Sequence, residues 1–225
     1  MSNNSYEVIL ADNEESKNIH YNLRYQIFCL EKGFEEADKF KDEMERDIYD
    51  DKAIHFLVKS KNRWIGSFRI VIDQFGSLPF QKVSTPYCPQ FLQRELQTAE
   101  FSRLGILRPF QNLRNGQSPK ESSENESEIM LKMLHAGVDY CRTNGIGHII
   151  CLCRRSIGRV LNQFGLQARS IGPAIIHHGP RTPFAFNLAD IHAFDSIVNS
   201  CLPSGKAYSL YSEMYSNEAP LALAA

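Results

Sequence analysis

The chain has no CxxC pair, a single tryptophan, no long apolar run and almost no net charge, and each absence closes a class of explanation. A structural zinc site needs ligand pairs at tight, repeated spacing. The six cysteines (Cys29, Cys88, Cys141, Cys151, Cys153 and Cys201) do not offer it, so no metal is expected. Cys151 and Cys153 alternate in a strand-like CLC, so both point to one face and are badly placed to bridge; buried free thiols are the expectation. No apolar stretch approaches the roughly 18–20 residues of a membrane span. The start, MSNNSYEV, lacks the basic and apolar regions of a signal peptide, which points to the cytoplasm. A net charge of −1, from 25 basic and 26 acidic residues, gives no global pull towards nucleic acid, and no such partner is expected. There is no repeat and no linker, so residues 1–225 read as one domain, with a core over about 6–201 and a tail over 202–225.

What is present is a chain with 43% hydrophobic and 23% charged residues, the balance of a soluble globular protein. YEVILAD (6–12) alternates as a first or edge strand. Between Ser16 and Lys32 the residues Ile19, Leu23, Ile27 and Leu30 recur at helical spacing, and Gly33 is a fitting stop. Arg24 and Phe28, four apart, share a face turned away from that stripe. Residues 35–51 form a long acidic loop, with nine acidic and three basic residues in seventeen. HFLVKS (55–60) and WIGSFRIVID (64–73) read as a hairpin around the turn KNR. Strict alternation would place Ile65, Ser67, Arg69 and Val71 on one face, opposite Trp64, Phe68, Ile70 and Ile72. TAEFSRLGI (98–106) is strand-like but carries Glu100 and Arg103. Residues 107–128 read as a polar surface excursion, followed by a helix from about Glu128 to Arg142. HIICLC (148–153) reads as a buried strand and RRSIGRVLNQFG as a helix closed by Gly165. QARSIGPAIIHH and TPFAFNLA read as final strands, Ala193 to Cys201 as a short helix, and NEAPLALAA as a frayed end. This order specifies an α/β domain on a mixed sheet, antiparallel first and alternating with helices later.

Arginines and carboxylates stand where burial is expected. Arg24 lies on a helix flank, Arg69 in mid-strand and Arg103 in or near a strand, and Glu45, Asp47, Asp50 and Glu100 are available to answer them. Buried charge is costly unless paired and hydrogen-bonded, which argues for one network. A set of unrelated surface ion pairs, each contributing little, is the plain alternative, and the residues alone leave both open. Networks of the first kind hold a carboxylate at a chosen protonation state, as amine chemistry requires.

Arg24 with Phe28, the triplet Glu45, Asp47 and Asp50, the strand arginine of GSFR (Arg69), and E-x-S-R (Glu100, Ser102, Arg103) occur in an order and at intervals that resemble the acyl-homoserine-lactone synthases and the N-acyl amino acid synthases. Both are branches of the GNAT acyltransferase superfamily. IGPAIIHHGPRTPF (171–184) resembles a segment of PEP-CTERM/exosortase-associated acyltransferases, which are grouped with the N-acyl amino acid synthases. The resemblance covers about residues 6–190, loosely over 107–145. It departs in two places. Phe34 stands where the lactone synthases usually carry tryptophan, and LRPFQNLRNG lacks the glycine spacing of the GNAT pyrophosphate loop. The second departure fits an acyl-carrier-protein donor better than coenzyme A, because backbone amides at a helix N-terminus would otherwise hold the pyrophosphate.

The resemblance implies a GNAT-like fold, with a mixed, mostly antiparallel sheet flanked by helices, and transfer of an acyl group from an acyl-carrier-protein or acyl-CoA co-substrate to the amine of an amino acid. No bound cofactor is implied. Glu100 or Glu45 would take the amine's proton, and Glu100 is preferred because a strand holds a base more firmly than a loop. Arg69, Arg24 or Arg103 would bind the acceptor's carboxylate in a bidentate fork, the others orienting the acidic loop. Phe28, Phe34 and Ser102 complete the substrate-binding set. In a regular strand Glu100 and Arg103 face opposite sides, so the shared site requires a bulge, expected near Phe101–Ser102. Arg154, Arg155 and Arg159 oppose the macrodipole at the start of a helix. They would dock an acidic carrier protein and its phosphopantetheine, or else form a solvated arginine face. His177 and His178, before Gly179-Pro180, read as structural strand-end histidines. A lipid product would bring peripheral membrane contact. The rival readings are a lactone synthase using S-adenosylmethionine, against which Phe34 and HHGPRTP argue, and a non-catalytic GNAT-like binding module.

Overall fold

Nine strands form one mixed sheet in the computed structural model, which describes residues 6–73, 77–87, 97–107 and 119–216. In chain order these are β1 (Tyr6–Leu10), β2 (Ala53–Ser60), β3 (Arg63–Ile72), β4 (Gln97–Ile106), β5 (Ile146–Cys153), β6 (Arg169–Ser170), β7 (Ile175–Ile176), β8 (Pro180–Asn187) and β9 (Ser209–Leu210). Their order across the sheet is β6-β8-β5-β4-β3-β2-β1-β9, with β7 paired to β8. Only β4/β5 and β1/β9 run parallel; the other pairs are antiparallel, so the expected mixed, mostly antiparallel sheet is found.

The helices are α1 (Glu14–Arg24), α2 (Pro119–Thr143), α3 (Arg155–Gln163), α4 (His192–Cys201) and α5 (Tyr211–Tyr215). One face of the sheet packs Val8, Phe56, Phe68 and Phe101 against Ile129 and Met133 of α2, Leu161 of α3 and Phe194 of α4. On the other, Ile9 and Leu57 meet Ile19 and Leu23 of α1 and Tyr211 of α5. Alternate residues along β2 feed the two cores, as a strand's twofold period demands. No described helix is long and apolar enough to cross a membrane. Among the described cysteines all are free thiols, and the Cys151 and Cys153 sulfurs lie 4.0 Å apart on one side of β5.

Several expectations shift in detail. The single helix over 16–32 is instead α1, capped by Asn13, followed by a π-helical turn over Tyr25–Glu31. The wider turn breaks the 3.6-residue period. Ile27 and Phe28 are buried while Leu30, assigned to the apolar stripe, is 62% exposed. Lys61, at positive φ, turns the hairpin, and the β2/β3 register shifts beside Val58 and Lys59. The extra residue on β3 puts Ile65 with Phe68 and Ile70, while Trp64 packs in the α1 core, reversing the face assigned to both. Helix α2 begins at Pro119, nine residues before Glu128; proline at a helix start followed by acidic residues suits an N-terminus. QARSIGPAIIHH yields two short strands, β6 and β7, instead of one. The chain past Cys201 also contributes, because β9 adds to β1 and Tyr211 is buried. Residues 108–118 of the polar excursion and the terminal NEAPLALAA fall, in whole or nearly so, outside the described residues.

Gly137 lets α2 approach β4, for a Cβ there would lie 2.5 Å from the Phe101 ring. Gly137→Ala should therefore lower stability by about 1–3 kcal/mol through overpacking, although the same change in an open helix would raise it by about 1 kcal/mol. Urea unfolding of the two proteins checks the sign.

Candidate active site

The site is built where α1, the acidic loop, β3 and β4 meet on the α1 side of the sheet. Arg24, on the last turn of α1, is fully buried; its Nε donates to Glu45 Oε2 at 2.5 Å and its Nη1 to Asp50 Oδ1 at 2.5 Å. Arg69, in the middle of β3 and 1% exposed, donates from Nη1 and Nη2 to both oxygens of Asp47 at 2.7 and 2.8 Å, and from Nη1 to Asp50 Oδ1 at 2.7 Å. Its Nε reaches Ser102 Oγ at 3.0 Å. Arg103 donates to Glu45 Oε1 at 3.0 Å, to Glu35 at 3.1 Å and to Asp47 at 3.4 Å. The arginines meet Glu45, Asp47 and Asp50 in one network whose burial excludes unrelated surface pairs, but Glu100, also expected to answer them, forms no ion pair with an arginine among the described residues. Among the described residues the Nη2 of Arg24 has no hydrogen-bond partner.

The bulge is also present, one step later than expected. The β3/β4 register shifts between Arg69↔Ser102 and Ser67↔Gly105, and Arg103 has φ +51°. The extra residue turns Arg103 to the side that already holds Glu100 and Ser102. β3 and β4 pair again beyond it, at Ser67↔Gly105 and Gly66↔Ile106. The β4/β5 ladder stops at Phe101↔Cys151, so beyond that pair the two parallel strands part.

Glu100 stands beside this parting, 3% exposed, and accepts one hydrogen bond from the backbone N–H of Phe80 at 2.8 Å. Burial pushes its carboxyl up to about 8, against the pull of the Phe80 N–H and the Arg69 charge. Asp47 goes the other way. Burial would raise it, but the hydrogen bonds and charge of Arg69 outweigh that and hold it near 2. Burial would likewise lower Arg69, yet Asp47 and Asp50 keep it above its ordinary value. Glu45, the other candidate base, gives both oxygens to arginines and keeps no free lone-pair face comparable to that of Glu100.

The π-helical turn decides the aromatic part. Its carbonyl at Phe28 accepts the N–H groups of Phe34 and Glu35 at 2.8 and 3.2 Å, folding the chain back over the site. The Arg103 guanidinium lies 5.6 Å from the Phe28 ring centre. Phe34 stacks on His178, rings 4.9 Å apart, and His178 Nε2 is 3.9 Å from Glu35. His178, read as merely structural, therefore reaches the rim of the network. Glu35, the Phe80 backbone and the buried pair His20/His55 carry no motif that marks them as site residues, while His178 and Arg181 lie within HHGPRTP without an assigned part in the site. His20 carried a signal, since it precedes Arg24 by one helical turn. Arg154, Arg155 and Arg159 are exposed at the start of α3 and are not brought into the network.

The model of a family described as an Acetyltransferase (GNAT) domain matches residues 23–117. The fold is GNAT-like. The coenzyme A-dependent acyl-homoserine-lactone synthase BjaI, solved with SAM and isopentyl-CoA, superposes with a TM-score of 0.63 at 18% identity, covering 89% of this chain and 91% of that one. FeeM, an N-acyl amino acid synthase from uncultured soil microbes, gives 0.58 at 11% identity over 88% and 98%. The lactone synthase LasI gives 0.57 at 18% over 82% and 91%. No curated protein matches the sequence. The matched model describes an acetyltransferase domain, and the fold resembles those of both synthase groups.

Beneath the network His20 and His55 are fully buried, rings 4.6 Å apart, and each directs Nε2 at a backbone carbonyl, that of Phe68 and of Asp50 respectively. Burial holds both below the ordinary value, His55 at about 4 despite the nearby Asp50 charge. Between pH 6.5 and 4 the unfolded chain binds protons that the folded chain refuses, so stability falls as pH falls. For His55 alone the loss is on the order of 3 kcal/mol. Glu100 acts oppositely between 4.5 and about 8, binding its proton in the folded chain only. Urea midpoints measured in a Glu100→Gln background should therefore drop steeply below pH 6.5, and adding His55→Gln should flatten that slope.

Proposed function

We propose that the chain is an N-acyltransferase, moving a fatty acyl group from an acyl-carrier-protein or coenzyme A thioester to the amine of an amino acid or related small molecule. The observation that carries this reading is Glu100, a buried carboxyl with a pKa of about 8 beside the parting of β4 and β5 and on the side of the charged network. An ammonium is no nucleophile, and a base whose pKa lies near the working pH is best suited to take its proton. The parting of the strands supplies a slot for the donor's thioester arm. Glu100 takes the ammonium's proton and releases it to solvent; the amine nitrogen then attacks the thioester carbonyl carbon while Glu100 takes a second N–H proton. The tetrahedral intermediate then loses its C–S bond, and the thiolate leaves with that proton as the amide forms. No acyl-enzyme is needed. Glu45, Asp47 and Asp50, held by Arg24, Arg69 and Arg103, give the amine an electronegative approach, with Phe28, Phe34 and Ser102 lining it. Arg154, Arg155 and Arg159, exposed without carboxylate partners among the described residues, suit the acidic surface of a carrier protein. The work is cytoplasmic, and a lipid product would bring the enzyme to the membrane surface.

Mass spectrometry of organic extracts from cells expressing the protein or its Glu100→Gln variant tests the reading. An N-acyl amino acid present with the unaltered protein alone is expected. An acyl-homoserine lactone would assign the chain to the S-adenosylmethionine-dependent reaction instead, and identical extracts would favour a silent binding module. With purified protein, kcat/KM should rise with pH along a limb centred near 8. Glu100→Gln should abolish that limb and lower the rate by about 10²–10⁴-fold.

A further inference from the structure

We infer that Arg181 is the anchor for the acceptor's carboxylate, so that the acceptor is an amino acid with a free acid group; this rests on the N-acyltransferase reading. The arginines of the network are already committed. Arg24, Arg69 and Arg103 face Glu35, Glu45, Asp47 and Asp50, three cations against four carboxylates. That excess of negative charge attracts an ammonium and repels a carboxylate. Arg24 and Arg69 are also sealed from solvent. A zwitterionic acceptor therefore needs a separate cation beside the network.

Arg181 meets that need. A continuous run of contacts leads to it: Arg103 to Glu35 at 3.1 Å, Glu35 to His178 at 3.9 Å, His178 stacked on Phe34 at 4.9 Å, and the Arg181 guanidinium 5.8 Å from the Phe34 ring centre. Among the described residues no carboxylate pairs with it. Its recorded hydrogen bond goes to the neighbouring carbonyl of Pro180 at 3.3 Å, leaving the fork open. It is partly buried, within reach of a ligand yet partly desolvated, and burial together with the Arg154 charge depresses its pKa. A bound anion would relieve both. The mount is firm, since Arg181 pairs with Ile175 in the β7/β8 ladder, closed by a turn with His178 and Gly179 at positive φ. A guanidinium held on a strand and free on its donor side suits bidentate recognition of a carboxylate.

The test measures binding of N-dodecanoylglycine and N-dodecanoylglycinamide, which differ at the acid group, by isothermal titration to the full chain. The unaltered protein should bind the acid at least tenfold more tightly. Arg181→Gln should bring the acid to the amide's affinity, Arg181→Lys should keep part of the preference, and Arg154→Gln should leave it intact, with melting curves verifying that each variant is folded. Loss of the preference in Arg154→Gln but not in Arg181→Gln would move the anion to α3 and overturn the assignment. Equal binding of the two probes, or binding of neither, would overturn it as well. An N-acyl amine in the cell extracts alongside equal probe binding would remove the Arg181 assignment and leave the N-acyltransferase reading standing. Extracts without any acylated product would remove that reading itself.

Discussion

Two nearly inaccessible guanidinium groups, Arg24 on α1 and Arg69 on β3, donate to the same oxygen of Asp50, and much of the molecule is arranged around that shared acceptor. Neither cation would tolerate burial alone. The desolvation of a charge costs several kcal/mol and is offset when paired and hydrogen-bonded acceptors surround it. The acidic loop provides them: Asp50 joins the two arginines, Asp47 grips Arg69 in a fork, and Glu45 ties Arg24 to Arg103. The loop is in turn fixed by its backbone, Glu45 N–H to Tyr21 C=O at 3.1 Å and Asp47 N–H to Asp50 Oδ2 at 2.6 Å. An irregular segment so rich in like charge is thereby held as a wall between a helix and a sheet.

The second constraint is the extra residue in β4. One left-handed position at Arg103 brings that side chain round to the network, and the ladder to β5 ends just before it. The position of Arg103 and the end of the β4/β5 pairing thus lie within two residues of each other along β4. Glu100, just before the break, remains in regular strand, and its surroundings differ from those of its acidic neighbours. It has one backbone donor and a wholly buried side chain, whereas Asp47 has two donors from Arg69. Carboxyls on one side of one sheet are therefore driven in opposite directions, one towards a proton near neutrality and one away from it.

Local irregularities account for the parts that pattern reading misplaced. The helix after Asn13 was evident from Ile19 and Leu23, but a π-helical turn changes the angular step and sends Leu30 outwards. The hairpin was evident, but one bulged residue moved Ile65 and Trp64 to opposite cores. Periodicity assumes a constant step, and these are the positions where the step changes. His178 and Arg181 were hidden for another reason, as their importance comes from a turn that lays them beside Phe34, more than 140 residues earlier in the chain.

Residue order by itself indicated most element types and the mixed sheet, and it offered one network of Arg24, Arg69, Glu45, Asp47 and Asp50 as one of two readings, because charges in apolar elements need partners. It even required a bulge, since Glu100 and Arg103 stand an odd number of residues apart. Which acid meets which arginine, where the bulge lies, why Glu100 is the isolated carboxyl and which arginine stays open were decided in three dimensions. Pairing, desolvation and access depend on distances between segments far apart in the chain, and packing alone sets those distances.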